Sequence, residues 1–177
     1  DAREQRRKRR RERGYNLVAL AGYTNAGKST LLNALSSADV EVDDRLFTTL
    51  SPRTRVLEED VRKILITDTV GFIDDLPPWL IEAFKAALEE IYLADLILLV
   101  VDVSEDFREI LRKFRTSREI LSESSADIVT VFNKIDTVSD ASLEKKVSAL
   151  KKVCPEVVTI SAKKEKKSEK RKLILKS

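Results

Sequence analysis

Gly22-Tyr23-Thr24-Asn25-Ala26-Gly27-Lys28-Ser29-Thr30 decides how this chain is read. It has the GxxxxGK[ST] spacing of a phosphate-binding loop and stands between an apolar strand and an amphipathic helix, where such a loop must stand. The strand is Asn16-Leu17-Val18-Ala19-Leu20-Ala21; the helix begins near Lys28 and carries Leu31, Leu32, Leu35 and Ala38 on one face. Glycines let successive N–H groups turn inward toward phosphate oxygens, at the positive end of the helix. Asn25, Ala26, Gly27, Lys28, Ser29 and Thr30 are therefore the expected nucleotide-binding residues of this loop. Lys28 would reach the β- and γ-phosphates, and the Ser29 hydroxyl would ligate Mg²⁺.

Three further stretches suit the same site. Ile64-Leu65-Ile66-Thr67-Asp68 is an apolar strand ending in an acid, and Asp68 would hold Mg²⁺ directly or through water. Thr69-Val70-Gly71 follows, where a glycine lets its N–H approach a γ-phosphate. Asn133-Lys134-Ile135-Asp136 comes after another apolar strand and selects the base. Guanine offers a ring N–H and an exocyclic amine side by side, a two-donor edge that the Asp136 carboxylate accepts as a pair. Adenine has neither donor there, and its ring nitrogen would face a desolvated carboxylate at a cost on the order of several kcal/mol. Lys134 can lay its stem on the base plane, and Asn133 can tie this loop to the phosphate loop. In Ser161-Ala162-Lys163, the Ala162 N–H is expected to donate to the guanine carbonyl.

Composition narrows the alternatives. The chain has 177 residues, 42% apolar and 36% charged, which describes one soluble globular domain with a sizeable core. Its longest apolar run, Leu96 to Val101, is too short to span a bilayer, and no membrane insertion is expected. The basic N-terminal run has no apolar segment behind it, so no signal peptide is visible. One cysteine, Cys154, excludes an internal disulfide and fits a reducing cytoplasm. There is no histidine, which removes imidazole acid–base chemistry, catalytic triads and His-rich zinc sites. There is no methionine either, which points to a piece of a longer polypeptide; a monomer is expected.

The net charge of +3 hides an uneven distribution. Residues 1–13 carry eight basic and three acidic side chains, residues 163–177 eight and two, and the stretch between is acidic. Such ends serve either as solvated tails and linker helices or as contacts to a polyanion such as RNA. Residues 1–13 read as the basic end of an upstream linker helix, 14–163 as a nucleotide-binding domain and 164–177 as a basic tail or closing helix. Beyond Gly14, strands near 53–58, 61–67, 96–101, 128–132 and 157–160 alternate with helices near 79–93 and 105–122 and around Leu143, Val147 and Leu150. The pattern predicts an α/β P-loop fold: a mostly parallel six-stranded sheet with helices on both faces.

Together with Leu46-Phe47-Thr48-Thr49-Leu50-Ser51-Pro52 and Asp68-Thr69-Val70-Gly71-Phe72-Ile73, the loop at 22–30 resembles the HflX family of translation-factor-related P-loop GTPases. The Obg family is the nearest relative, and the resemblance covers about residues 15–163. It implies GTP and GDP as ligands, Mg²⁺ as cofactor, and hydrolysis of GTP in a ribosome-associated switch on the large subunit and its rRNA. It also identifies Thr49, not Thr48, as the switch residue that meets Mg²⁺ and the γ-phosphate; spacing alone leaves both open. Lys28, Thr49, Gly71 and Asn25 are then the expected catalytic set. Asn25 occupies the position that helps bind a monovalent cation in potassium-stimulated relatives, so K⁺ is a secondary expectation.

Position 72 is Phe where many GTPases place a water-orienting Gln, so hydrolysis should be slow without help, and the ribosome is the favoured helper. Arg45, Arg53 and Arg55 flank the switch and read more simply as surface. Trp79, behind Pro77-Pro78, reads as a helix-start anchor. A guanine-nucleotide-sensing module with negligible hydrolysis is the alternative, while an ATP-using kinase conflicts with Asp136. After Ser161-Ala162-Lys163 the family continues into a Gly-containing turn and an amphipathic helix; here the tail is largely polar.

Overall fold

The structure, a computed structural model, describes residues 2–36, 53–59, 62–154 and 156–164. The elements are α1 (Ala2–Glu12), β1 (Tyr15–Ala21), α2 (Lys28–Leu35), β2 (Arg53–Glu59), β3 (Arg62–Asp68), α3 (Ile81–Tyr92), β4 (Leu96–Asp102), α4 (Phe107–Ile120), β5 (Asp127–Asn133), α5 (Asp140–Lys151) and β6 (Val157–Thr159). They build a six-stranded sheet in the order β2-β3-β1-β4-β5-β6. Every pairing is parallel except the β2–β3 hairpin. The expected Ala38, Arg45, Thr48 and Thr49, with the rest of 37–52, lie outside the described residues, as does the tail from 165 onward.

Side-chain alternation divides the core into two layers. Val18 and Leu20 of β1 face Leu31, Leu32 and Leu35 of α2, with Ile64, Ile66, Leu98 and Val131. Ala19 and Ala21 point the other way, to Ile91 of α3 and to Ile110 and Phe114 of α4. Strand β4 is buried on both faces from Leu96 to Val101, which is why its sequence is unbroken apolar. The chain leaves β1 for β3 on one side and crosses by α3 to β4 on the other. That reversal opens the crevice at the carboxyl ends of the strands where ligands bind in open α/β sheets. Helix starts follow local chemistry: Pro77-Pro78 leads a 3₁₀ turn (Pro78–Leu80) into α3, and the Asp106 carboxylate accepts the Arg108 N–H at 2.9 Å to cap α4.

Helix α1 has no apolar face and docks through arginine. Arg3, Arg7, Arg10 and Arg11 share one stripe. Arg7, 5% exposed, donates to the Tyr92 carbonyl at 2.5 Å and to the Ser125 hydroxyl. Arg10 donates at 2.8 Å to the Leu93 carbonyl and to Asp95, and Arg11 donates to Asp95 at 2.9 Å. Arg3 grips Glu89 with two N–H groups, and its guanidinium stands 4.9 Å from the Tyr92 ring centroid. The carbonyls at the end of α3 lack intrahelical donors and sit at the negative helix end, so guanidinium groups suit them doubly. Half of the basic charge of this segment is therefore spent inside the molecule, not offered to a polyanion.

Candidate functional site

The phosphate loop leaves β1 at Gly22 and enters α2 at Lys28. Gly22 has φ +139°, and a Cβ there would lie 2.3 Å from the Val100 carbonyl oxygen. Gly27 has φ +96°, and its Cβ would meet the Asn133 side-chain nitrogen at 2.2 Å. Only glycine fits at either place. Asn25 takes φ +62°, a left-handed turn that asparagine tolerates, with its side chain exposed. Lys28 is 7% exposed and folds back on its own loop, donating to the carbonyls of Gly22 at 3.2 Å and Tyr23 at 2.9 Å. Burial lowers its pKa and the neighbouring Asp68 carboxylate opposes that fall. Ser29 and Thr30 are exposed on the first turn of α2.

Asp68, at the carboxyl end of β3, accepts the Ser29 hydroxyl on Oδ2 at 2.5 Å. Its other oxygen, Oδ1, is buried without a hydrogen-bond partner among the described residues. A carboxylate with one bare buried oxygen beside a hydroxyl fits a hard divalent cation bound by oxygen ligands. Gly71 follows closely: a Cβ there would stand 2.9 Å from the Thr24 nitrogen and 3.0 Å from the Lys28 ammonium. The space above Lys28 is thus kept open. Phe72 is 1% exposed and packs edge-on against Tyr23 and Phe84, both 6.1 Å between ring centroids. It belongs to the core and offers nothing to an attacking water.

The base-reading loops meet the phosphate loop through Asn133. Its Nδ2 donates to the Ala26 carbonyl at 2.9 Å, and its Oδ1 accepts the Ala162 N–H at 2.9 Å. The second bond engages the Ala162 N–H, the group expected to donate to a guanine carbonyl: with Nδ2 on Ala26, Oδ1 faces residue 162. Lys163 is exposed on the same turn. Asp136 is held in place by the Ser161 hydroxyl at 2.7 Å on Oδ1 and by Lys164 at 3.5 Å on Oδ2. The Ser161 hydrogen bond in particular keeps its carboxyl below the usual range. Lys134, at φ +67°, donates to the Asn25 carbonyl at 2.7 Å and to Asp102 at 2.5 Å.

Asp102 is the residue that sequence reasoning passed over. Burial pushes its carboxyl up, but the Lys134 hydrogen bond and the Ser104 hydroxyl and N–H outweigh it and hold it below the usual range. It sits at the end of β4 as Asp68 sits at the end of β3, and Leu96-Ile97-Leu98-Leu99-Val100-Val101-Asp102 carried the same signal, an apolar strand closed by an acid. Arg55, which flanks the switch and reads as surface, donates to the Ser36 hydroxyl at 2.8 Å. Among the described residues, no helix is long and apolar enough to cross a membrane.

The chain is similar to known GTPases. Residues 17–134 match the family model described as 50S ribosome-binding GTPase. The chain is 53% identical over 148 residues to the GTPase HflX of Thermococcus kodakarensis, covering 82% of this chain and 34% of that protein. It thus spans about a third of the length of that relative. A GTP-binding protein of Sulfolobus solfataricus in complex with GDP superposes with a TM-score of 0.74 at 31% identity, over 91% of this chain and 51% of that one. Era in complex with MgGDPNP and a 16S ribosomal RNA segment gives a TM-score of 0.74 at 27% identity, over 92% and 56%. The glycine cradle, the Asp68 carboxylate and the Asn133–Asp136 loop stand at one sheet edge in a chain that belongs to the HflX family of P-loop GTPases.

Proposed function

We propose that this chain binds GTP with Mg²⁺ and hydrolyses it to GDP and phosphate in the cytoplasm, slowly alone and faster on the large ribosomal subunit. The observation that carries the reading is the Asn133 bridge: its side chain donates to the Ala26 carbonyl of the phosphate loop and accepts the Ala162 N–H, while Ser161 next to Ala162 holds Asp136. Asp136 would accept both donors of the guanine edge, and Lys134, fixed by Asp102 and the Asn25 carbonyl, would support the base plane. Lys28 is poised to exchange two backbone carbonyls for β- and γ-phosphate oxygens. Ser29 and Asp68 would hold Mg²⁺, with Thr49 joining them as the family resemblance implies. When bound, the ion neutralises charge on the β- and γ-oxygens. The Gly71 N–H would donate to the γ-phosphate as water attacks phosphorus and the bond to the bridging oxygen breaks.

Slow unassisted turnover is supported by Phe72, which is buried, so no side chain at that position orients the water. The family's ribosome-binding description supports the large subunit as the partner that completes the site. A potassium ion held by Asn25 is a secondary reading, favoured by the exposed side chain at the loop's rim; equal turnover in sodium and potassium would remove it. Single-turnover GTP cleavage with and without large subunits tests the main proposal. Slow cleavage that accelerates on the subunit is expected. Binding of GTP without cleavage in either condition would leave a sensing module instead.

A further inference from the structure

The segment after Gly71 is fastened twice to its surroundings. Phe72 forms a parallel bridge with Tyr23: its N–H donates to the Gly22 carbonyl at 2.9 Å and its carbonyl accepts the Thr24 N–H at 3.0 Å. Two residues on, Asp74 accepts the Tyr23 hydroxyl at 3.0 Å. Arg112 of α4 then closes on Asp74 with two parallel bonds, Nη1 to Oδ1 at 3.0 Å and Nη2 to Oδ2 at 2.9 Å. Glu109, one turn earlier, holds the same guanidinium at 2.9 Å, and the Tyr23 ring centroid lies 5.8 Å from it. The Arg112 hydrogen bonds keep the Asp74 carboxyl below its usual range, so the clamp is charged at neutral pH. Immediately beyond, Asp75 turns the backbone into the left-handed region at φ +53°.

We infer that Arg112 and Asp74 are positioning residues for the γ-phosphate contact, holding residues 71–74 against the phosphate loop so that the Gly71 N–H is preset and switch movement begins beyond Asp74. The inference rests on the GTP-hydrolysis reading and adds to it. A Cβ on Gly71 would come within 2.9 Å of the Thr24 nitrogen and 3.0 Å of the Lys28 ammonium, so this backbone runs close against the phosphate loop and small excursions of it change what the Gly71 N–H can reach. GDP has no γ-phosphate. A clamp that serves only that contact matters for GTP and its cleavage, not for GDP.

The test compares Arg112→Ala, Arg112→Lys, Asp74→Ala and the double alanine variant, each measured for GDP affinity, affinity for a non-hydrolysable GTP analogue, and single-turnover cleavage. For a solvent-exposed bidentate pair, analogue affinity and cleavage should fall about three- to fivefold while GDP affinity holds. Arg112→Lys should fall between, and the double variant should be no worse than either single one, because each single change already opens the clamp. Equal losses for GDP and analogue would overturn the inference by making the pair merely structural. So would fully additive losses, or no loss at all. A parent chain that neither binds nor cleaves GTP would refute the underlying reading, an outcome visible before any variant is compared.

Discussion

The two edges of the sheet handle charge in opposite ways. At the amino edge, Asp95 accepts the Leu17 N–H at 2.8 Å together with Arg10 and Arg11, and Arg7 is sunk against the Tyr92 carbonyl and Ser125. At the carboxyl edge, Asp68 keeps one buried oxygen bare, Lys28 rests on two carbonyls, and Ser29 and Thr30 face solvent. Both edges carry buried charge. At the first edge the charges are paired with one another and with backbone carbonyls and become architecture, although Arg7 Nε and Arg10 Nε stay buried without a hydrogen-bond partner among the described residues. The second leaves valences open, which stabilises nothing until a ligand arrives and fills them. What marks the site is a bare buried acceptor, Asp68 Oδ1, beside the exposed Ser29 and Thr30, whereas the first edge leaves over only arginine donors.

The sharpest way to break that contrast is at Asp136. Asparagine there keeps the size and can still accept from Ser161, but it cannot accept two donors from guanine. Asp136→Asn should lower GTP affinity by at least about a hundredfold, because the base's paired donors lose their acceptor, with the fold untouched. Calorimetric titration with GTP and with xanthosine triphosphate checks it, and the xanthine nucleotide, with a carbonyl where guanine has its amine, should gain. Equal GTP affinity would mean that the carboxyl edge does not read the base through this residue.

Asp95→Ala should do the reverse: destabilise the fold by about 2 kcal/mol while nucleotide affinity holds, since three donors lose one acceptor at a site still open in part to solvent. Chemical denaturation measures the first and GDP titration the second. Burial pushes the Asp95 carboxyl up, but the Leu17 N–H, Arg10 and Arg11 more than offset it, so the folded value lies below the ordinary 3.8. Its contribution is therefore complete above 3.8 and disappears only as pH falls through that depressed value. The variant should match the parent chain in strong acid and diverge from it above.

The carboxyl edge was largely legible in the sequence and the amino edge was not, for a physical reason. Residues 22–30 and 133–136 act through backbone shape and neighbours a few positions away, so spacing alone exposes them. The β1, β4 and β5 assignments rest likewise on largely apolar runs, unbroken only in β4. By contrast, Arg7 meets a backbone carbonyl 85 residues away, and backbone carbonyls carry no side-chain signature. Arg112 meets Asp74 across 38 residues, where either charge alone reads as ordinary surface. The bond from the Ala162 N–H to Asn133 is not legible in the sequence, because it depends on how the Asn133 amide is turned, a torsion that no local pattern encodes.

Glu90 departs from the rule. It sits on α3, away from the nucleotide edge, and burial alone pushes its carboxyl up to about 7. The unfolded chain releases this proton near 4.5 and the folded chain only near 7, so stability falls as pH rises between those values. The carboxyl is half exposed and solvent screening discounts the shift, so the loss should be about 1 kcal/mol. Glu90→Gln should therefore be the more stable protein at pH 8 and equal to the parent chain near pH 4. Parallel denaturation curves at both pH values would mean that the Glu90 carboxyl is hydrated in the folded chain.

The smallest effect belongs to the helix that joins the two edges. Helix α3 begins beside the nucleotide edge, behind Trp79, and ends at the carbonyls that Arg7 and Arg10 hold. Trp79 is 80% exposed, so its expected part as an anchor is corrected, and Trp79→Ala should change stability by no more than about 0.5 kcal/mol. Its value is as a reporter. If residues 71–74 are clamped while the chain beyond Asp75 moves, Trp79 emission should differ between GDP and a non-hydrolysable GTP analogue. If α3 were instead locked along its length by the arginines at its far end, releasing them with Arg7→Ala would enlarge that difference. Identical emission in both nucleotide states and both proteins would confine nucleotide-dependent motion to segments before Trp79. The arginine-held edge would then stabilise the fold without ever sensing the nucleotide edge.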